Sequence, residues 1–171
     1  MKMKYLVLGL GNDLLGDDAV GPLVARRLAN IDGAGVTVME SAESGVTLLD
    51  IFVGFDRALI VDGMITGVRP VGAVSELQLG DLRTTPGPSP HYSGLPEMVQ
   101  LAAKLQLKFP REFRILAVEL EDVHTVGGCM SPPVSETIPL VVQRVREIIT
   151  EWHLQDRMRC EAPASRRVAN A

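Results

Sequence analysis

The stretch that decides the fold reads Gly9-Leu10-Gly11-Asn12-Asp13-Leu14-Leu15-Gly16-Asp17-Asp18-Ala19-Val20-Gly21. It follows the apolar residues 5–8, which are typical of a buried strand, and it precedes residues 22–28, which have the pattern of a helix. The stretch is therefore predicted to be a turn from a strand to a helix, with two adjacent carboxylates, Asp17 and Asp18, at the start of the helix.

The glycines of this turn suggest a nucleotide-binding loop, but their spacing fits poorly. Gly9 and Gly11 match the first two glycines of the pattern G-x-G-x-x-G, whereas Leu14 occupies the third position. Asp17 and Asp18 would repel a phosphate, so carboxylates here suit a cation better. The residues alone leave open a purely structural role, in which either acid caps the helix and complements its dipole.

Composition limits the classes of protein that the chain can represent. Its 171 residues suit one domain, and 46% apolar with 22% charged residues is the balance of a globular protein. The formal net charge of -4, without a basic patch, argues against nucleic acid as a partner. No apolar run approaches the roughly 20 residues that span a bilayer, so we expect no membrane partner. Cys129 and Cys160 form no evident disulfide framework, and a cytoplasmic location is expected.

Strand and helix patterns alternate along the chain, which predicts an α/β fold, a three-layer α/β/α sandwich. The predicted strands are Lys4–Leu10, Val36–Met39, Arg57–Val61, Gly72–Leu79 and Phe113–Leu120. The predicted helices are Ala19–Asn30, Val46–Phe55, Gly94–Leu107 and Ser135–Trp152. The link from Gly63 to Val71 is shorter than the dozen or so residues of a parallel crossover, so the fourth strand is expected to run antiparallel.

Three polar side chains from separate loops form the candidate site. Asp18 follows the first strand, Asp62 follows the third, and His91 lies in a proline-rich segment. If the two strands are neighbours, the carboxylates meet at the carboxyl edge of the sheet. Each residue alone has an ordinary explanation, as a loop anchor or an exposed histidine. Together, two carboxylates and one imidazole resemble an open site for nickel or zinc, with positions left for water or substrate.

A thiol nucleophile is a competing hypothesis. Cys129 could pair with His124 or His91, because an adjacent base activates a thiol. The sequence fixes no such partner, so we favour an inert cysteine in a turn.

Four motifs carry a resemblance that covers residues 3 to 150. The opening stretch, residues 9–21, is similar to the first motif of the hydrogenase maturation proteases, which trim the C-terminal extension from the large subunit of nickel–iron hydrogenases. Leu59-Ile60-Val61-Asp62-Gly63 resembles the second motif of that family, and Ser89-Pro90-His91-Tyr92-Ser93-Gly94-Leu95 resembles the segment with its metal-binding histidine. Gly127-Gly128-Cys129-Met130-Ser131-Pro132-Pro133-Val134 falls on its Gly-Leu-Ser-Pro-like loop before the last helix.

The resemblance implies specific expectations for the fold and the site. The sheet should have five strands in the order 2-1-3-5-4, with strand 4 antiparallel. Residues 1–153 should form a single protease domain. The tail at 154–171 has no counterpart in the family, and it is expected to be flexible because its residues become polar and basic without apolar periodicity. Asp18, Asp62 and His91 should be the metal ligands and the catalytic residues. The metal should be nickel carried by the substrate, for which zinc or cadmium substitutes in vitro.

The implied function is that of a nickel-dependent endopeptidase that cuts the nickel-loaded precursor of a hydrogenase large subunit. Two mechanisms stay open: the cation activates the scissile carbonyl or a water molecule, or Asp18 or Asp62 acts as general base. Two other functions also stay open, a non-enzymatic nickel-binding maturation chaperone with the same site and a nucleotide-binding module of Rossmann type.

Overall fold

The computed structural model describes residues 3–31, 35–83, 91, 95–123 and 126–161. Its strands are β1 (Tyr5–Leu10), β2 (Val36–Ser41), β3 (Arg57–Met64), β4 (Val74–Gln78) and β5 (Glu112–Glu119). Its helices are α1 (Val20–Arg27), α2 (Leu49–Phe52), α3 (Leu95–Lys104) and α4 (Pro132–Glu161). Short 3₁₀ turns lie at Gly16–Ala19, Gly45–Leu48 and Asp81–Arg83.

The five strands form one mixed sheet in the order β2-β1-β3-β5-β4. The first four strands in this order run parallel to one another, and β4 runs antiparallel to β5, with Val74 opposite Val118. Both the strand order and the direction of the fourth strand are as predicted. The carboxyl ends of four parallel strands therefore lie along a single edge of the sheet, which we call the carboxyl edge.

Apolar side chains cover both faces of the sheet, which makes the three layers of the predicted sandwich. In β1, Tyr5 and Val7 pack toward α1 and α4, whereas Leu6, Leu8 and Leu10 pack toward α2 and α3. All six residues of β1 and all eight of β3 are buried. This double burial explains why these strands read as nearly continuous apolar runs. Among the described residues, no helix combines the length and the apolar character that crossing a bilayer requires.

The glycines of the opening stretch bring α1 into close contact with the sheet. A Cβ atom on Gly21 would lie 2.1 Å from the carbonyl oxygen of Leu10 and 2.6 Å from that of Val61. A Cβ on Gly11, whose φ is +140°, would lie 1.9 Å from the carbonyl oxygen of Asp18. Only glycine fits such a close approach. The glycines thus place the turn with Asp18 directly over the ends of β1 and β3.

Strand β3 is longer than the sequence predicted. Gly63 and Met64 continue the pairing with β5, opposite Val118 and Glu119. Asp62 therefore lies inside the strand, two residues before its end, and not in the loop after it as predicted. The pairing continues because β5 itself extends to Glu119.

The last helix also continues beyond its predicted end. The pattern placed that end at Trp152 and a polar tail from position 154, whereas α4 continues to Glu161. This part of the prediction is wrong for residues 154–161, and residues 162–171 lie outside the described part of the chain.

Polar contacts, and not an apolar stripe, hold the added turns of α4. Asp156 accepts hydrogen bonds from the Tyr5 hydroxyl and from Nη2 of Arg57, the latter at 2.9 Å. Arg57 is buried and also forms an ion pair with Glu112 at 3.1 Å. A search for apolar periodicity cannot detect such contacts, which is why the helix was predicted too short.

Candidate metal centre

Asp18, Asp62 and His91 converge at the carboxyl edge of the sheet. One ligand atom of each lies within 4.8 Å of the ligand atoms of the other two. Asp18 comes from the 3₁₀ turn before α1, Asp62 from β3, and His91 from the segment before α3. Strands β1 and β3 are direct neighbours, so the condition on which the predicted convergence depended is met.

Asp62 lies at the bottom of this cluster and is completely buried. Its Oδ1 accepts a hydrogen bond from the backbone N–H of Gly63 at 2.8 Å. Nδ1 of His91 lies 3.2 Å from both carboxylate oxygens of Asp62. The imidazole therefore meets the carboxylate symmetrically, and the carboxylate is fixed by its own strand.

Asp18 forms the second buried wall of the cluster. Its Oδ2 accepts a hydrogen bond from the backbone N–H of Asn12 at 2.8 Å. Asn12 and Asp18 both belong to the opening stretch, so the turn that displays the carboxylate also orients it. One oxygen is held by the backbone, as a preorganised ligand requires.

Burial and neighbouring charge shift the pKa values of two of these groups. Burial raises the pKa of Asp18, and the Asn12 N–H and the charge of His91 offset this effect only in part. For His91, burial lowers the pKa, but the hydrogen bond to Asp62 and the charges of Asp62 and Asp18 outweigh it, so the net shift is upward. Both groups therefore hold protons more tightly than their ordinary counterparts do.

The neighbouring Asp17 has a different role, which the sequence did not reveal. It is buried, and its Oδ1 accepts the backbone N–H of Ser131 at 2.6 Å. Its Oδ2 accepts the Ser131 hydroxyl at 3.0 Å and the backbone N–H of Glu121 at 3.3 Å. Asp17 thus fastens the opening stretch to the connection between β5 and α4. The small polar Ser131 before two prolines was the signal that could have indicated such an anchor.

Cys129 does not join the cluster. Its thiol is free and exposed, and it is not among the residues whose ligand atoms converge. Its carbonyl oxygen lies near Gly16, where a Cβ atom would be 3.7 Å away. The suggested partner His124 lies outside the described residues. The backbone of Cys129 therefore lies beside the loop that carries Asp18, while its thiol is exposed.

A cleft of about 290 Å³ lies beside the cluster, at the ends of β1 and β2. Arg26 lies in its wall, where it forms ion pairs with Asp13 and with Glu40, the latter at 2.8 Å. Asn12 lines the same cleft, so the backbone that orients Asp18 also forms its boundary. None of the three converging residues lines this cleft, which is formed by the opening stretch, the start of α1 and the end of β2.

The donor set fits a divalent cation. Two carboxylates and one imidazole are ligands that nickel and zinc both accept in proteins. The burial of both carboxylates strengthens their attraction to a cation, because little water screens them. A cation bound to three protein groups keeps coordination positions for a substrate.

The fold and the comparisons with known proteins place the chain in a class of peptidase. The family model HycI, described as hydrogenase maturation protease, matches residues 22–148, well over half of the chain. The chain belongs to the hydrogenase maturation protease family.

Individual relatives agree with this assignment. The hydrogenase 2 maturation protease of Escherichia coli is 26% identical over 153 residues, which cover 87% of this chain and 92% of that protein. The hydrogenase expression/formation protein HupD of Bradyrhizobium diazoefficiens is 26% identical over 155 residues, 87% of this chain and 79% of the relative. The solved structure of the hydrogenase maturating endopeptidase HybD from E. coli superposes with a TM-score of 0.75 at 25% identity, covering 87% and 93% of the two chains.

Proposed function

We propose that this protein is a nickel-dependent endopeptidase that removes the C-terminal extension of a nickel-loaded hydrogenase large-subunit precursor. The convergence of Asp18, Asp62 and His91 within 4.8 Å is the observation that supports this proposal most directly. The family membership supports the peptidase activity and the class of substrate. The reaction is expected to occur in the cytoplasm, and the free thiol of Cys129 agrees with a reducing compartment.

In this proposal the nickel ion belongs to the substrate and serves as a recognition element. Asp18, Asp62 and His91 bind the ion that the precursor presents, so a precursor without nickel lacks the bridge to the protease. Because all three ligands bind the nickel ion, the protein distinguishes a nickel-loaded precursor from one without nickel. Zinc or cadmium, which accept the same donors, should replace nickel in vitro.

The residues of the site can also handle protons during hydrolysis. A divalent cation held by Asp18, Asp62 and His91 would supply Lewis acidity for the hydrolysis. The pKa of Asp18 is raised by burial, which favours proton uptake at this carboxylate. Asp62 is held by the Gly63 N–H and by His91, so it is the more constrained of the two acids. Asp18 is therefore the better candidate for a general base, and Asp62 for a fixed ligand.

The proposal is tested by cleavage of a nickel-loaded precursor, followed by mass spectrometry of the product. The wild type should release a shorter large subunit, and Asp62→Ala and His91→Ala should release none or a small fraction. Asp50→Ala is the matched control, because Asp50 is an exposed acid of α2 and is not one of the three converging residues. Full cleavage by both site variants would refute the assignment of the residues.

The same experiment separates the proposal from a maturation chaperone. A chaperone would bind the precursor in a nickel-dependent manner and leave its mass unchanged. Binding without a shorter product, in the wild type, would therefore replace the endopeptidase with the chaperone.

A further inference from the structure

The most exposed large apolar side chains of the described residues are concentrated at one edge of the molecule. Five of them are more exposed than the others: Leu14 (66%), Val46 (62%), Val68 (71%), Val126 (73%) and Met158 (70%). All but Met158 lie in connections that follow the parallel strands. Large exposed apolar groups that cluster in this way mark interaction surfaces more often than scattered ones do.

Each parallel strand contributes one of these side chains. Leu14 follows β1, Val46 follows β2, Val68 follows β3, and Val126 follows β5. We call these four residues the apolar rim. Since neighbouring strands lie about 4.8 Å apart, the rim extends over roughly 15 Å along the carboxyl edge. Asp18 comes from the connection after β1 and Asp62 from β3 itself, two residues before its end, so both are positioned by the two central strands of the row, between the outer members of the rim.

The loops that carry the rim are fixed by hydrogen bonds. The backbone N–H of Gly127 donates to the carbonyl oxygen of Leu14 at 2.8 Å, which joins the loops of Leu14 and Val126. The buried carboxylate of Glu119 accepts the backbone N–H groups of Thr66 at 2.7 Å and Gly67 at 2.8 Å, directly before Val68. The side chains of Leu14, Val68 and Val126 are thus displayed on anchored backbone, as in a preformed binding surface.

Exposed carboxylates lie on the same edge. Glu43 and Glu121 are exposed, and neither forms an ion pair with any described residue. Two copies of the chain placed rim to rim would bring these acids and the buried acids of the cluster toward one another. A partner that carries a cation at its surface has the complementary charge.

We propose that the apolar rim is the docking surface for the face of the folded precursor that surrounds its metal ion. The inference rests on the proposed function and adds a second recognition element. The three ligands bind the ion, and the rim contacts the apolar surface around it. The rim excludes water from the contact, which strengthens the attraction between the ligands and the ion.

The test compares a rim variant with an exposed apolar residue at the opposite edge. Leu14→Ser/Val126→Ser removes two rim side chains, and Val46→Ser/Val68→Ser removes the other two from independent loops. Leu105→Ser is the matched control: Leu105 is 56% exposed and lies near Lys108, whose carbonyl oxygen accepts the N–H of Gly54 at the amino edge of the sheet. Nickel affinity by calorimetry and the thermal midpoint report whether each variant keeps its site and fold.

We expect each rim variant to raise KM for the nickel-loaded precursor about tenfold or more, with kcat and nickel affinity unchanged. A tenfold change corresponds to about 1.4 kcal/mol of binding free energy. The control should match the wild type in all four measurements. An unchanged KM in both rim variants overturns the inference, while cleavage by the wild type keeps the proposed function intact.

Two further outcomes are decisive. If the wild type leaves the precursor uncut, the proposed function fails, and the rim is then judged by the precursor affinity of the variants, where equal affinity overturns it. If a rim variant converts a dimer of this protein into a monomer in sedimentation experiments without changing KM, the rim is a contact between copies of the chain and the inference is wrong.

Discussion

Asp17 and Ser131 are joined by two hydrogen bonds although 114 residues separate them in the chain. Oδ1 of Asp17 accepts the backbone N–H of Ser131 at 2.6 Å, and Oδ2 accepts its hydroxyl at 3.0 Å. The adjacent Asp18 belongs to the candidate metal centre. One carboxylate of the pair therefore secures the loops, and the other faces the centre that those loops surround.

Asp17→Ala should destabilise the protein and weaken its binding of nickel. It leaves the N–H and hydroxyl of Ser131 without their charged acceptor, and such a loss costs about 1–3 kcal/mol of unfolding free energy. Asp18 should lose part of its orientation, because the turn that carries it is no longer fastened. Urea denaturation and nickel calorimetry measure the two effects.

Asp13→Ala is the control for this experiment. Asp13 lies in the same stretch but is exposed, and its ion pair with Arg26 is a surface pair that water and salt screen, so its loss should change the stability little. Equal stability of the two variants would show that the contact between Asp17 and Ser131 is not an anchor.

Nickel affinity should fall as the pH decreases through the neutral range. Metal ligands bind in their deprotonated forms, so protons compete with the ion. Because the pKa of His91 is raised from its ordinary 6.5 by Asp62 and Asp18 against the opposing effect of burial, the loss should begin above the pH at which an ordinary histidine protonates. Nickel calorimetry between about pH 5 and 8 measures the profile.

The stability of the protein without added metal should show the opposite trend. A histidine with a raised pKa in the folded state stabilises the fold below its unfolded pKa, and this contribution is lost as the pH rises through the folded value. Asp62→Asn should reduce the stability trend, because it removes the negative charge that helps to raise the pKa of His91 while an amide oxygen stays in place to accept a hydrogen bond. A nickel affinity that is constant over this range would contradict the assignment of His91 as a ligand.

Residue patterns predicted the buried strands and the direction of the fourth strand, and they singled out the three candidate site residues, whereas the strand order was implied by the resemblance. The apolar runs of β1 and β3 predict strands that are buried on both faces, and the short link before β4 predicts an antiparallel strand. Asp62 is recognisable because it interrupts an apolar run. The residue types alone suggested that Asp18, Asp62 and His91 form an open metal site, and the resemblance implied all three as ligands, since no spacing rule connects positions so distant in the chain.

Contacts between polar groups that are distant in the chain could not be predicted from the sequence. The buried Arg57 binds Asp156 and Glu112, and neither partner stands out from the other charged residues in the sequence. The same holds for Asp17 and Ser131. Hydrophobic patterns predict which face of an element is buried, but they do not reveal which polar groups meet when the elements pack.

Gly21→Ala should be strongly destabilising. The added Cβ would lie 2.1 Å from the carbonyl oxygen of Leu10 and 2.6 Å from that of Val61, so α1 would have to move away from the sheet. Overpacking of this kind costs about 1–3 kcal/mol, and more where backbone must shift. Urea denaturation gives the change in the free energy of unfolding.

Gly80→Ala is the matched control, because a Cβ at Gly80 meets no atom within 4 Å. It should be neutral or slightly stabilising, since alanine reduces the entropy of the unfolded chain. Nickel affinity should also fall in Gly21→Ala, because the turn with Asp18 moves with α1. Equal stability of the two variants would show that the glycine is not required for close packing.

Asp156→Ala should destabilise the protein even though Asp156 lies beyond the end of the apolar stripe of α4. The change removes a partner of Arg57, which is buried and cannot recover its hydration. We expect a loss of about 1–3 kcal/mol, below the 3–5 kcal/mol of a fully broken buried pair, because Glu112 still neutralises the guanidinium at 3.1 Å. Arg157→Ala, an exposed neighbour on the same turn, should change stability by less than about 0.5 kcal/mol. Because Asp156 lies at the amino edge of the sheet, nickel affinity should stay at the wild-type value in both variants. An equal loss of stability in Asp156→Ala and Arg157→Ala would show that residues 153–161 do not pack on the domain.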